Sequence, residues 1–100
     1  MEKEVKLSAE EIIEYIRENV ETHDLLELSY NRIYAPGEVL YVDNEDDETK
    51  EGLRVTMQLT GEMLNQTVEV DMHEIKDDLL EVRHIKKETT HTTILVVVES

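Results

Sequence analysis

The stretch 43–48 constrains the fold more than any other, because five of its six residues are acidic. Two alternating apolar runs flank it, at 39–42 and 53–59. Six consecutive polar residues between two such runs are typical of the tip of a β-hairpin. A tip with this much charge must stay in water, because each unpaired carboxylate would lose its hydration if buried. The sequence therefore predicts a hairpin that projects dense negative charge into solvent.

Acidic residues are in excess along the whole chain, and not only in this stretch. The net charge is −15, from 25 acidic and 10 basic side chains in 100 residues. Such a surface repels nucleic acid and anionic membranes, and it attracts basic proteins. The length predicts a single domain over 1–100, with residues 1–6 frayed. Regular apolar periodicity favours a folded chain over the disorder that high net charge otherwise indicates.

Composition also limits the cellular compartment in which the protein is expected. There is no cysteine, so the chain has neither a disulfide framework nor thiolate chemistry. No apolar run approaches the ~20 residues that span a bilayer. The N-terminus lacks the basic-then-apolar pattern of a signal peptide. We therefore expect a cytoplasmic protein that has no membrane partner.

Ser8 opens the clearest local signal, a helix capping box. Its hydroxyl can accept from the amide of Glu11, while the Glu11 carboxylate returns to the Ser8 amide. Apolar residues then recur at helical spacing, at positions 12, 13, 16 and 20. These features predict a long N-terminal helix over 8–21.

The remainder of the chain predicts strands and turns. Strands are expected at 38–42, 53–60, 64–72, 80–87 and 92–98, with 25–30 as a further candidate, and turns at 22–24, 35–37 and 88–90. The run 94–98 is apolar on both faces, which predicts a central strand or one covered by a partner. A short second helix at about 72–79 would be capped by Asp71. The predicted fold class is α+β: an antiparallel sheet of about five strands with one long N-terminal helix and a short second one.

Catalytic and metal-binding side chains form no recognised motif. Asp43, Glu45 and Asp47 alternate as in a calcium loop, but Glu48 and Arg54 stand where that loop needs Gly and Glu. The four histidines lack zinc-site spacing and are interpreted as ordinary surface or sheet residues. No nucleophile lies beside a base in a known pattern, and there is no glycine-rich phosphate loop. We therefore predict no enzyme, no cofactor and no metal site.

The acidic side chains are the predicted binding surface. Residues i and i+2 of a strand lie about 6.6 Å apart, and i and i+4 of a helix about 6 Å, so acids at these spacings can form rows like phosphates. The predicted partner-binding residues are Glu10, Glu14 and Glu18 on the helix, Asp43, Glu45, Asp46, Asp47, Glu48 and Glu51 around the hairpin tip, and Glu69 and Asp71 on a strand. A basic DNA-binding protein would meet them with fast, salt-sensitive association.

In composition the chain resembles the phage-encoded DNA-mimic inhibitors, which are short, cysteine-free and strongly acidic. The resemblance covers charge and length but no alignable residues, so it carries over no site. It implies a phage protein of host takeover that occupies the basic surface of a host protein and competitively blocks DNA binding. A nucleoid-associated protein of the HU type is the target that distributed charge fits best.

Two other interpretations fit the same sequence. Two copies could form a homodimer through the strand 92–98, and the acidic charge would then serve solubility alone. Adaptation to molar salt is the other, although six lysines and a preference for Glu over Asp oppose it.

Overall fold

The computed structural model describes residues 2–43, 52–60 and 66–98. In chain order the elements are β1 (Glu2–Leu7), α1 (Ala9–Asn19), β2 (Leu25–Tyr30), β3 (Ile33–Asp43), β4 (Arg54–Leu59), β5 (Thr67–Asp71), a 3-10 turn (Lys76–Asp78), β6 (Leu79–Ile85) and β7 (Thr92–Val97). Within these ranges seven strands form one sheet, in the order β1-β7-β6-β2-β3-β4-β5. β1 runs parallel to β7, and the other neighbouring pairs are antiparallel.

β3 connects the two halves of the sheet. Its first half, 33–38, pairs with β2, and its second half, 37–43, pairs with β4. A bulge between Val39 and Tyr41 increases the local twist. The principal extents, 35 × 29 × 29 Å, are similar to one another, as expected for a sheet that curls around its core.

α1 begins at the predicted capping box. The Glu11 amide donates to Ser8 Oγ at 3.2 Å, and the Ser8 amide donates to the Glu11 carboxylate at 3.0 Å. The helix buries its isoleucines at 12, 13 and 16. At its other end Lys86 Nζ donates to the Asn19 carbonyl at 2.9 Å, so a cation lies at the negative end of the helix dipole.

The core lies between α1 and one face of the sheet. Alternate strand residues enter it, such as Val55 and Met57 of β4, which are fully buried. On β7, Leu95 is fully buried, and Ile94 on the opposite face is only 8% exposed. β7 lies between β1 and β6, so both of its backbone edges are paired within the sheet.

The predicted fold class was wrong in four respects. The sheet has seven strands instead of about five, and it is mixed instead of antiparallel. α1 has 11 residues and is shorter than the predicted range 8–21, because Val20 is already extended. The predicted second helix is only the 3-10 turn, where Asp77 and Asp78 would oppose a helix dipole.

β1 is formed by residues that were expected to be frayed. Val5 and Leu7 lie opposite Leu95 and Val97 of β7 and pack against the core. The other four residues of β1 are charged, which concealed the strand in the sequence.

The predicted turn at 35–37 lies inside β3, and the chain reverses at 31–32 instead. Thr60 donates its amide to the Pro36 carbonyl at 3.0 Å. Because the nitrogen and oxygen of one strand residue point to the same side, the Pro36 nitrogen faces Thr60 too. β4 has already ended at Leu59, so the missing N–H costs at most one bond at the end of the ladder.

Gly37 lies where β3 approaches β4 too closely for a side chain. A Cβ at this position would lie 2.6 Å from the Gln58 carbonyl oxygen and 3.2 Å from Leu59 Cα. A methyl group here would force the two strands apart. We therefore expect Gly37→Ala to lower the free energy of unfolding, measured by urea denaturation, by about 1–3 kcal/mol. Thr67→Ala, at an exposed position of β5, is the control and should change it by less than ~0.5 kcal/mol. If Gly37→Ala were as stable as the native chain, this close approach would not exist.

Candidate functional site

The predicted helical acids are arranged along α1, but two of the three are paired within the chain. Glu10 accepts from Lys76 Nζ at 3.3 Å, and Glu14 forms an ion pair with Arg17. Glu18 is exposed and forms no ion pair with any residue that the structure describes. The row therefore offers a partner less charge than three free carboxylates would.

Glu69 and Asp71 lie on the sheet face that points away from α1. Arg54 of the neighbouring strand donates to Glu69 at 3.2 Å and lies 4.0 Å from Asp71. Asp43 is opposite the same arginine in the β3–β4 register. The fold thus separates these acids from the helical row and gives them a local cation.

Most of the acidic hairpin tip lies outside the described residues. This holds for Glu45, Asp46, Asp47, Glu48 and Glu51. The strands on either side, β3 and β4, do pair as the predicted hairpin. Arg17 Nη2 donates to the Gly52 carbonyl at 3.4 Å, so the residues just before β4 are joined to α1.

Tyr15, His84 and Asp24 form a hydrogen-bonded chain beneath α1. His84 Nε2 lies 2.8 Å from Asp24 Oδ2, and His84 Nδ1 lies 2.8 Å from the Tyr15 hydroxyl. Asp24 is 3% exposed and His84 is 1% exposed. Because an ionised carboxylate can only accept, Nε2 carries the proton, and a neutral ring accepts from the Tyr15 hydroxyl at Nδ1. The chain ties the helix to β6 and to the turn before β2.

The Asp24 carboxylate is ionised because protein groups replace its hydration. Burial raises the pKa of Asp24, but hydrogen bonds from His84, Glu21 and Lys87 lower it further, and the net pKa is below its ordinary value. The Glu21 amide donates to Oδ2 at 3.0 Å, and the Lys87 amide donates to Oδ1 at 3.1 Å. Both carboxylate oxygens are therefore satisfied inside the protein.

A hydroxyl, an imidazole and a carboxylate in line have the connectivity of a nucleophile, its base and an orienting group. Such a group also needs room for a substrate beside the hydroxyl. Three grooves on the described surface, of about 800, 390 and 200 Å³, are lined by other residues. The hydrogen bonds of the network join α1 to β6 and to the turn before β2.

Sequence reasoning missed this network. His84 was interpreted as an ordinary surface or sheet histidine, and Asp24 was placed in a turn. The two residues are 60 positions apart in the chain. The sequence did indicate that His84 is buried, because it follows Val82 at the next inward position of β6. A buried polar side chain needs a hydrogen-bond partner, so a partner for His84 could have been sought.

The groove of about 800 Å³ opens where α1 and β6 begin and β7 ends. We call it the terminal groove, and it is lined by Ser8, Ala9, Glu10, Glu11, Lys76, Asp77, Leu79, Leu80, Val97 and Val98. Leu80 is 56% exposed and Val98 is 40% exposed. Its charged lining residues are three acids and one lysine, so the groove combines apolar and anionic surface.

A family model described as "Uncharacterized protein conserved in archaea (DUF2097)" matches residues 3–95. The chain belongs to this family. No curated protein and no solved structure matches the sequence.

The resemblance to phage-encoded DNA-mimic inhibitors was wrong, and so was the expectation of host takeover. A family conserved in archaea points away from a phage protein. The resemblance rested on charge and length, which unrelated chains acquire for different reasons.

In the ranges that the structure covers, no helix is long and apolar enough to cross a membrane. Nor do three or more His, Asp or Glu side chains converge there in a way that could hold a metal ion.

Asp24→Asn would place an N–H2 group where the carboxylate now accepts from N–H donors. We expect it to lower the free energy of unfolding at neutral pH by about 2–3 kcal/mol. Because folding lowers the pKa of Asp24, its stabilising effect is present above the ordinary value of 3.8 and is lost as the pH falls through the folded value. Urea denaturation should therefore show a constant gap between native chain and variant from about pH 7 to 5, narrowing below pH 3.8.

Glu88→Gln, which removes the same charge from an exposed side chain, is the control for net charge. It should not reproduce this pH dependence. A gap that is absent at neutral pH, or that persists unchanged in strong acid, would contradict the assignment.

Proposed function

We propose that this chain is a non-catalytic binding module of the archaeal cytoplasm that engages a basic protein, of the kind that also holds nucleic acid. The observation that carries the proposal is the net charge of −15 on a packed, ordered scaffold. Charge repulsion of this size destabilises a compact domain. We therefore infer that the charge has a function that compensates for the lost stability.

α1 is the part of the scaffold that best fits this role. The terminal groove, with Glu10, Glu11 and Asp77, lies at its start. Near its end, Arg17 contacts Gly52, which follows the acidic segment. A partner on this side would meet carboxylates from parts of the chain that are far apart in sequence. Nucleic acid and anionic lipid would be repelled by the same charges.

The homodimer through 92–98 has less support from the geometry. Both edges of β7 are hydrogen-bonded within the chain, to β1 and to β6. A second copy could not extend the sheet at this strand and would have to bind through a face.

Competition with DNA tests the proposal. A basic archaeal chromatin protein is bound to fluorescently labelled duplex DNA, and the acidic chain is titrated in while anisotropy is followed. We expect release of the DNA, with an affinity that falls as salt screens the charges. No release at low salt would contradict the proposal.

Two quadruple variants with equal net charge distinguish a surface from general acidity. The first neutralises the α1 side, with Glu10→Gln, Glu14→Gln, Glu18→Gln and Asp77→Asn. The control neutralises exposed acids elsewhere, with Glu2→Gln, Glu4→Gln, Glu69→Gln and Glu88→Gln. The first should weaken competition about tenfold or more, equivalent to about 1.4 kcal/mol, and the control much less. Equal losses would show that only the total charge matters.

A further inference from the structure

We infer that the terminal groove is the docking site for a cationic amphipathic segment of the partner. This inference rests on the proposed function and adds to it a place and a chemical class of ligand.

The first support is an exposed leucine that the strand irregularity produces. Leu79 is opposite Tyr30 and Glu81 is opposite Ser29, so Leu80 is an extra residue between two consecutive residues of β2. A bulge of this kind redirects a side chain, and bulges are frequent beside functional sites. The redirected Leu80 is 56% exposed and lines the same groove as Val98, itself 40% exposed.

The second support is the charge around this apolar surface. Glu10, Glu11 and Asp77 line the groove. The one lysine in the lining, Lys76, is engaged by Glu10 at 3.3 Å. Glu11 is held in place by the capping box, where its carboxylate accepts from the Ser8 amide. The groove therefore presents fixed negative charge beside exposed leucine and valine.

These two properties together define the occupant. A purely apolar segment would cover the carboxylates and remove their hydration without compensation. A purely cationic segment would leave Leu80 and Val98 in water. A segment with an apolar side chain on the floor and lysine or arginine on its flanks satisfies both, which is the pattern of an amphipathic helix in a groove.

A designed peptide tests the inference without knowledge of the natural partner. The probe is a fluorescein-labelled helix of leucine and lysine, ~18 residues long, with its leucines on one face. A scrambled peptide of the same composition has the same charge but no apolar face. Anisotropy titrations should show that the native chain binds the amphipathic peptide about tenfold or more tightly than the scrambled one.

Leu80→Ser removes the apolar floor, and Leu25→Ser is its matched control, since Leu25 is 40% exposed on β2, outside the groove. Leu80→Ser should weaken binding about tenfold, and Leu25→Ser less than about twofold. The double variant Glu10→Gln, Asp77→Asn should weaken binding and flatten its salt dependence. Glu21→Gln, Glu88→Gln is its control for the change in net charge.

The outcomes separate this inference from the proposed function. If the two leucine variants bind alike, or if both peptides bind alike, docking in the terminal groove is wrong, while release of DNA from the basic protein would still support the proposed function. If the native chain binds neither the peptides nor the DNA-binding protein, both fail.

Discussion

The hydrogen bond between Asp24 and His84 is the interaction on which the arrangement of this chain most depends. Its two side chains are buried and 2.8 Å apart, and two backbone amides complete the coordination of the carboxylate. A buried carboxylate without these donors would be very costly, so few other arrangements are tolerated. Through Tyr15 the bond also positions α1, which at 11 residues is too short to be stable alone.

The position of α1 in turn determines how the acidic surface is presented. Its start forms one wall of the terminal groove, and Arg17 in its last turns donates to the carbonyl of Gly52, just before β4. Several acids found along the chain are paired with local cations, but exposed ion pairs of this type contribute little to stability. These pairs therefore do not account for the excess of carboxylates, which is why we propose a partner for it.

Features that depend on neighbouring residues could be predicted from the sequence. The capping box at Ser8 and the one-sided alternation of β4 are examples, because each arises from local geometry. β1 could not be predicted, because only two of its six residues are apolar and the strand that pairs with it, β7, is at the far end of the chain. Pro36 and Gly37 have the residue types of a turn, yet the close approach of β4 is what requires the glycine.

For the candidate site too, local features could be predicted and tertiary ones could not. The acidic residues are evident in the sequence, but their ion pairs with Arg54 and Lys76 depend on tertiary contacts. The terminal groove could not be predicted from the sequence, because its walls come from α1, the start of β6 and the end of β7.

The most direct test of the proposed binding surface is an NMR titration of the isotope-labelled chain with the basic DNA-binding protein. Our account predicts the largest amide shifts at 8–11, 76–80 and 97–98, and shifts confined to the opposite sheet face, around Glu69 and Asp71, would contradict it.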